Sequence, residues 1–184
     1  QEGLYRHFRA IAEAVDIPIV VYNIAGRTAI NVETDTLARL VRDCANIVGV
    51  KEASGSLDQM TQVILACGPE FSVLSGDDNI TLPLMSVGGR GVISVIANLV
   101  PRETAEMTHA ALAGDWKQAR ELHLKLFPLS RAVFIETNPI PVKEALAMMG
   151  KLAEPEFRLP MCRMAEANRP RLKAVLASLG LVKG

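Results

Sequence analysis

Aromatic side chains are scarce in this sequence: Phe, Tyr and Trp together make up 4% of its 184 residues. So few rings leave no platform on which bases could stack. Net charge is lacking as well, with Lys+Arg 20 against Asp+Glu 20. That balance removes the electrostatic case for binding nucleic acid or an anionic membrane surface. No apolar run approaches the roughly 18 residues that a spanning helix requires. No basic, apolar, small-residue opening marks a signal peptide either, so the expected location is the cytoplasm. Cysteines are few: Cys44, Cys67 and Cys162 are odd in number, far apart and without a CxxC pair. Neither a disulfide framework nor a zinc site is expected from them. They read as small buried hydrophobes in a reducing compartment. His7, His109 and His123 all fall in helical patterns outside any HExxH motif. They read as surface or packing residues, and no metal is expected.

What is present is apolar material, 49% of the chain, enough to bury a domain-sized core. Four short β-branched runs stand out: Pro18 to Tyr22, Ile47 to Val50, Phe71 to Leu74 and Val92 to Val95. Such runs suit parallel strands buried on both faces. Helical patterns fill the gaps. Leu37, Leu40, Val41 and Cys44 follow the i, i+3, i+4, i+7 rule, and Leu57, Met60 and Ile64 follow it more loosely before a stop at Gly68-Pro69. Asp78 to Val87 supplies a third crossover, with Asp77 or Asp78 as its N-cap. Upstream, Leu4, Phe8, Ile11 and Val15 form one helical stripe. After the last strand the chain reads as wholly helical. One helix opens at Pro101 and ends at Gly114, and Asp115 caps a second whose buried face is Trp116, Ala119, Leu122 and Leu126. Further helices cover about Val142 to Met149 and Arg169 to Leu179.

Repeated βα units with right-handed crossovers define an α/β fold. A (β/α)8 TIM barrel takes about 250 residues. The chain offers four such units, a helix before the first strand, and Gln1 where a methionine would start. The expected architecture is therefore the second half of a barrel over residues 1–113, followed by a C-terminal helical domain over 114–184. A stand-alone doubly wound sheet is the alternative.

In such folds function gathers at the carboxyl ends of the strands. The first end presents Tyr22 and a loop carrying Arg27, the second Lys51-Glu52, the third Ser75-Gly76-Asp77-Asp78 and the fourth Ser94 to Asn98. A lysine leaving an apolar strand at a cavity rim is placed to act as an imine-forming nucleophile. Its alternative is a strand-ending lysine that points into water. Adjacent parallel strands lie about 4.8 Å apart, so the Tyr22 phenol can meet that amine over one substrate and move protons. Packing is the alternative for Tyr22. Arg27 can grip a carboxylate with both prongs of its guanidinium, or it is a solvated loop residue. Gly88, Gly89 and Gly91 around Arg90 precede a strand rather than open a helix, so they read as a tight turn and not as a phosphate cradle.

Five segments occur in order: Tyr22 to Thr28 (YNIAGRT), Val48 to Gly55 (VGVKEASG), Leu74 to Asp78 (LSGDD), Gly88 to Val95 (GGRGVISV) and Asn138 to Lys143 (NPIPVK). Together they resemble the dihydrodipicolinate synthase (4-hydroxy-tetrahydrodipicolinate synthase) family, lyases of the class I aldolase type in lysine and diaminopimelate biosynthesis. The likeness runs over essentially the whole chain and corresponds to the C-terminal three-fifths of a usual member. It implies that Lys51 forms an imine with pyruvate, whose enamine attacks aspartate 4-semialdehyde. It implies a proton-relay role for Tyr22 and a semialdehyde-carboxylate role for Arg27. The Ile93 carbonyl would face pyruvate and Gly76 would line the same cavity. No cofactor is implied, because the lysine itself is the electron sink. A homo-oligomer, a dimer of dimers, is implied as well.

The family usually has proline where Ala25 stands and often glycine where Ala29 stands, which predicts a less rigid arginine loop. Its paired threonines, its subunit-exchanged tyrosine and its lysine-binding residues belong to the first barrel half. These 184 residues alone are accordingly expected to be inactive and to leave two raw sheet edges. Another pyruvate aldolase such as N-acetylneuraminate lyase is the alternative within the class, disfavoured by Arg27 and by Glu52 directly after Lys51. A non-catalytic half-barrel module is the alternative from a different class.

Overall fold

The structure is a computed structural model that describes residues 1–183. The chain divides into two compact units, Gln1–Ile93 and Ser94–Gly184.

The first unit is built of βα repeats. Helix α1 (Glu2–Ala14) leads into β1 (Ile19–Asn23), a single helical turn α2 (Ala25–Thr28) and α3 (Thr34–Asp43). Strand β2 (Ile47–Glu52) is followed by α4 (Leu57–Cys67), β3 (Ser72–Ser75), a 3-10 turn at Asp78–Ile80, α5 (Thr81–Ser86) and β4 (Gly91–Val92). All strand pairs are parallel, in the order β1-β2-β3-β4. Local chemistry explains the boundaries. Ser56 caps α4 by accepting from the Gln59 amide at 3.1 Å, and α4 stops at Gly68, whose φ of 82° suits glycine.

One face of the sheet is covered and the other is open. Val21, Val50 and Val73 are buried in a core shared with Leu37 and Leu40 of α3 and Met60 and Val63 of α4. Val20, Tyr22 and Val48, on the opposite face, are exposed. The expectation of burial on both faces is therefore corrected. Four strands in open order enclose no lumen, so inward-facing β-branched residues of a barrel sheet stay uncovered here. The α1 stripe holds at Leu4 and Phe8, which pack against the core, and is corrected at Ile11 and Val15, which are exposed, while Tyr5 and Ala12 are buried. Tyr5 turns inward because its hydroxyl reaches Asp43 of α3 at 2.8 Å and Arg39 stacks on its ring. The last strand is shorter than expected, Gly91–Val92 and not Val92 to Val95. Ser94 accepts from the Ala97 amide at 2.8 Å and starts a 3-10 turn over Ile96–Asn98, which ends the extended run.

The glycine-rich turn before β4 is a close-packed one, since a Cβ on Gly89 would lie 2.4 Å from a Leu84 side-chain atom. Cys44 is buried and Cys67 half-buried, and burial pushes the Cys67 thiol up to about 11. Cys162 is exposed, contrary to expectation, because it lies in the irregular stretch between the last two helices.

The second unit is helical: α6 (Pro101–Leu112), α7 (Trp116–Ala132), α8 (Ile140–Met148) and α9 (Arg169–Ser178). Pro101 opens α6 and Asp115 caps α7 by accepting from the Gln118 amide at 3.0 Å, both as expected. Trp116 is 42% exposed, so the buried face of α7 instead runs through Ala119, Leu126 and Leu129, with Leu122 half-buried. Leu126 and Leu129 share a core with Leu172 and Leu176 of α9. The fully buried Glu144 of α8 is gripped by Arg163 at 3.3 Å and by Arg169. Glu144→Ala strips both guanidiniums of their common acceptor, and we expect it to destabilise this unit by about 2–3 kcal/mol in chemical denaturation. Among the described residues no helix is long and apolar enough to cross a membrane.

Candidate active site

The ladder places the predicted pair. Tyr22 lies opposite Lys51 and Asn23 opposite Glu52. Successive strand residues point to opposite faces, so Tyr22 and Lys51 share the open face and Asn23 and Glu52 the covered one. The Lys51 Nζ sits 4.0 Å from the centroid of the Tyr22 ring. At so exposed a position this cation–π contact is worth about 0.5–1 kcal/mol, enough to bias the amine toward the ring. Lys51 is half-buried and Tyr22 is 45% exposed. Lys51 is not the residue after the strand, as the sequence suggested, but inside it. Pairing continues because the Ala53 amide donates to the Asn23 carbonyl at 2.9 Å and the Gly76 amide to the Glu52 carbonyl at 2.7 Å.

Two further candidates lie at the carboxyl ends of the next two strands. Gly76 directly follows β3 beside β2, and a Cβ there would lie 2.5 Å from the Ala53 Cβ. Only a bare backbone fits so close an approach. The Ile93 amide donates to the Ser75 carbonyl at 2.9 Å, which carries β4 along the end of β3, while its side chain is exposed. Arg27 is the outlier. It is exposed on α2, which replaces the expected loop, and among the described residues its side chain has no ion-pair or hydrogen-bond partner. The turn forms because the Arg27, Thr28 and Ala29 amides bond back to Ile24 and Ala25 carbonyls. Ala29 closes it at φ 57°, in the left-handed region. We expect Ala29→Gly to relieve about 1 kcal/mol of backbone strain, raising Tm by about 2 °C in a thermal melt.

Behind the pair lies Glu52, which the sequence reading used to separate the synthase from the lyases but gave no role in the site. Glu52 is fully buried, and among the described residues only N–H donors reach its carboxylate: Asn23 Nδ2 at 3.1 Å to each oxygen, the Ser54 amide at 2.8 Å and Gln59 Nε2 at 3.3 Å. Asn23 Oδ1 accepts from the Val32 amide at 3.0 Å, and Asn23 Nδ2 also donates to Asn31 Oδ1 at 2.8 Å. The signal available was a polar residue directly following each reactive one, at the same register position. Asp77, one of the two residues expected to cap the third crossover helix, with Asp78 as the other, stands at the N-cap of the 3-10 turn but makes no side-chain capping bond. The turn is stabilised otherwise, with Ser75 and Thr81 hydroxyls donating to the Asp77 carbonyl at 2.7 and 3.0 Å. Burial pushes the Asp77 carboxyl up, neighbouring Asp78 and Glu52 add to this, and Lys51 opposes it.

An amine and a phenol in register at the carboxyl ends of parallel strands meet a family match over residues 1–179, described as "Dihydrodipicolinate synthetase family". The chain belongs to that family. It is 56% identical over 182 residues to the 4-hydroxy-tetrahydrodipicolinate synthase of Syntrophus aciditrophicus, covering 99% of this chain and 62% of the relative. The dihydrodipicolinate synthase structure from Aquifex aeolicus shares 47% identity and superposes with a TM-score of 0.96, covering 100% of this chain and 62% of that one. The chloride-inhibited synthase from Acinetobacter baumannii, solved with pyruvate, shares 41% identity with a TM-score of 0.94 over 98% of this chain and 62% of that one. The four parallel strands and their helices are thus those of a (β/α)8 TIM barrel. The chain spans about 62% of the length of these relatives. In this family setting the open sheet face is the face a barrel turns inward, and Tyr22 and Lys51 stand on it.

Proposed function

We propose that the protein condenses pyruvate with aspartate 4-semialdehyde to give 4-hydroxy-tetrahydrodipicolinate, with Lys51 as the nucleophile. The observation that carries this reading is the Lys51 amine held over the Tyr22 ring at the carboxyl ends of β1 and β2. The names of the family's curated members support the reaction. The Lys51 amine, as free base, attacks the keto carbon of pyruvate, and loss of water leaves an imine. Loss of a proton from the pyruvyl methyl group gives an enamine, whose carbon forms the new bond to the semialdehyde carbonyl carbon. Ring closure by the semialdehyde amine then displaces Lys51 as free amine. Tyr22 serves as the acid and base that moves these protons. Arg27 lies one turn beyond β1, where a guanidinium can hold the semialdehyde carboxylate. Gly76 and Ile93 border the pyruvate end.

The reading takes in a homo-oligomer built as a dimer of dimers, working in the cytoplasm. It also assigns the remaining barrel strands to the part of the family's length that this chain does not span. The test is product formation from pyruvate with either aspartate 4-semialdehyde or a sugar acid. Turnover of the semialdehyde supports the reading; turnover of N-acetylneuraminate with none of the semialdehyde overturns it.

A further inference from the structure

The β1–β2 ladder is not regular along its length. Ile19 lies opposite Ile47, yet Val20 lies opposite Gly49, so β2 carries one extra residue at that step. A slip of one residue moves a strand's side chains to the other face. The register at the reactive end is therefore not inherited from the strand starts and needs its own constraint.

The Asn23–Glu52 pair sits at that end, directly beyond Tyr22 and Lys51 on the covered face. Its carboxylate is fully buried, and among the described residues no cation touches it. Such a group is costly to bury, and an apolar side chain would pack the position without that cost. What the carboxylate adds is direction. Donors converge on it from β1, from the Ser54 amide after β2 and from Gln59 of α4. Asn23 is itself tied to Val32 and Asn31. A slip of β1 by one residue takes the Asn23 amide off the carboxylate and leaves the charge without two of its bonds.

We propose that Asn23 and Glu52 form a register lock, and that Glu52 is a positioning residue that keeps the Tyr22 hydroxyl placed over the imine at Lys51. This rests on the reading that Lys51 forms the imine. The lock acts through Tyr22, so its loss slows the chemical steps and leaves pyruvate capture nearly intact.

A double-mutant cycle in the protein made from its complete reading frame tests this, with kcat and the KM for pyruvate measured for the parent, Glu52→Gln, Tyr22→Phe and the double variant. Glu52→Gln is expected to lower kcat roughly 10- to 100-fold, with KM changed less than about threefold. In the Tyr22→Phe background the same change is expected to cost less than about twofold, because the group it positions is already gone. Equal fold-losses in both backgrounds mean a merely structural role and overturn the lock, as does a parental kcat for Glu52→Gln. Should Glu52→Gln fail to fold, the swapped pair Asn23→Asp with Glu52→Gln decides. Recovery of kcat above that of Asn23→Asp alone supports the lock, and no recovery overturns it. Borohydride trapping separates the two levels. A parent protein that gives no reducible pyruvate adduct refutes the imine reading and the lock with it, whereas a normal adduct with an unaltered Glu52→Gln refutes the lock alone.

Discussion

On the proposed reading, we expect replacing Lys51 by alanine to remove turnover, with kcat down by at least about 10⁴-fold, on the scale seen when a covalent nucleophile is deleted. Arginine at the same position is the sharper variant. A guanidinium keeps a cation over the Tyr22 ring, where the amine now lies at 4.0 Å, but it stays protonated and cannot add to a carbonyl. If the charge alone were needed, Lys51→Arg would retain much of the rate. We expect it to be as inactive as Lys51→Ala while melting at the parental temperature, read by steady-state assay and thermal unfolding together.

Tyr22→Phe gives the second large effect. The ring that holds the amine remains and only the hydroxyl is lost, so the contact that positions Lys51 largely survives. If Tyr22 transfers the proton as proposed, its loss is expected to lower kcat by about 10²- to 10³-fold, with little change in the KM for pyruvate. Tyr22→Ala removes ring and hydroxyl together and falls further. Equal rates for Tyr22→Phe and the parent would assign the tyrosine to packing alone.

The strands were legible because their β-branched runs are local facts: Ile19–Asn23 and Ile47–Glu52 lie within two residues of the expected spans. Three helix boundaries were legible for the same reason, since Asp, Pro and Gly act on their immediate neighbours at Pro101, Asp115 and Gly68, whereas Asp77 makes no cap. What the sequence hid depends on partners distant along the chain. Lys51 falls inside β2 because Gly76 reaches the Glu52 carbonyl from the next strand. Tyr5, and not Ile11, points inward on α1 because Asp43 waits on α3. The exposure of Val20 and Val48 reflects how many strands surround the lumen, which no strand's own composition states. The site divides similarly. The placement of Tyr22, Lys51 and Gly76 at neighbouring strand ends was readable from the strand pattern. The Glu52 cradle was not, because Asn31 and Gln59 lie 21 positions before and seven after it and acquire meaning only when loop and helix fold against the strand pair.

The central claim is that the amine at position 51 condenses with a keto acid. Borohydride reduction in the presence of pyruvate, followed by peptide mass mapping, tests it most directly. The account predicts one reduced pyruvyl group on the peptide containing Lys51 and none in Lys51→Ala. An adduct on a different lysine, such as Lys143, or no adduct at all, contradicts it.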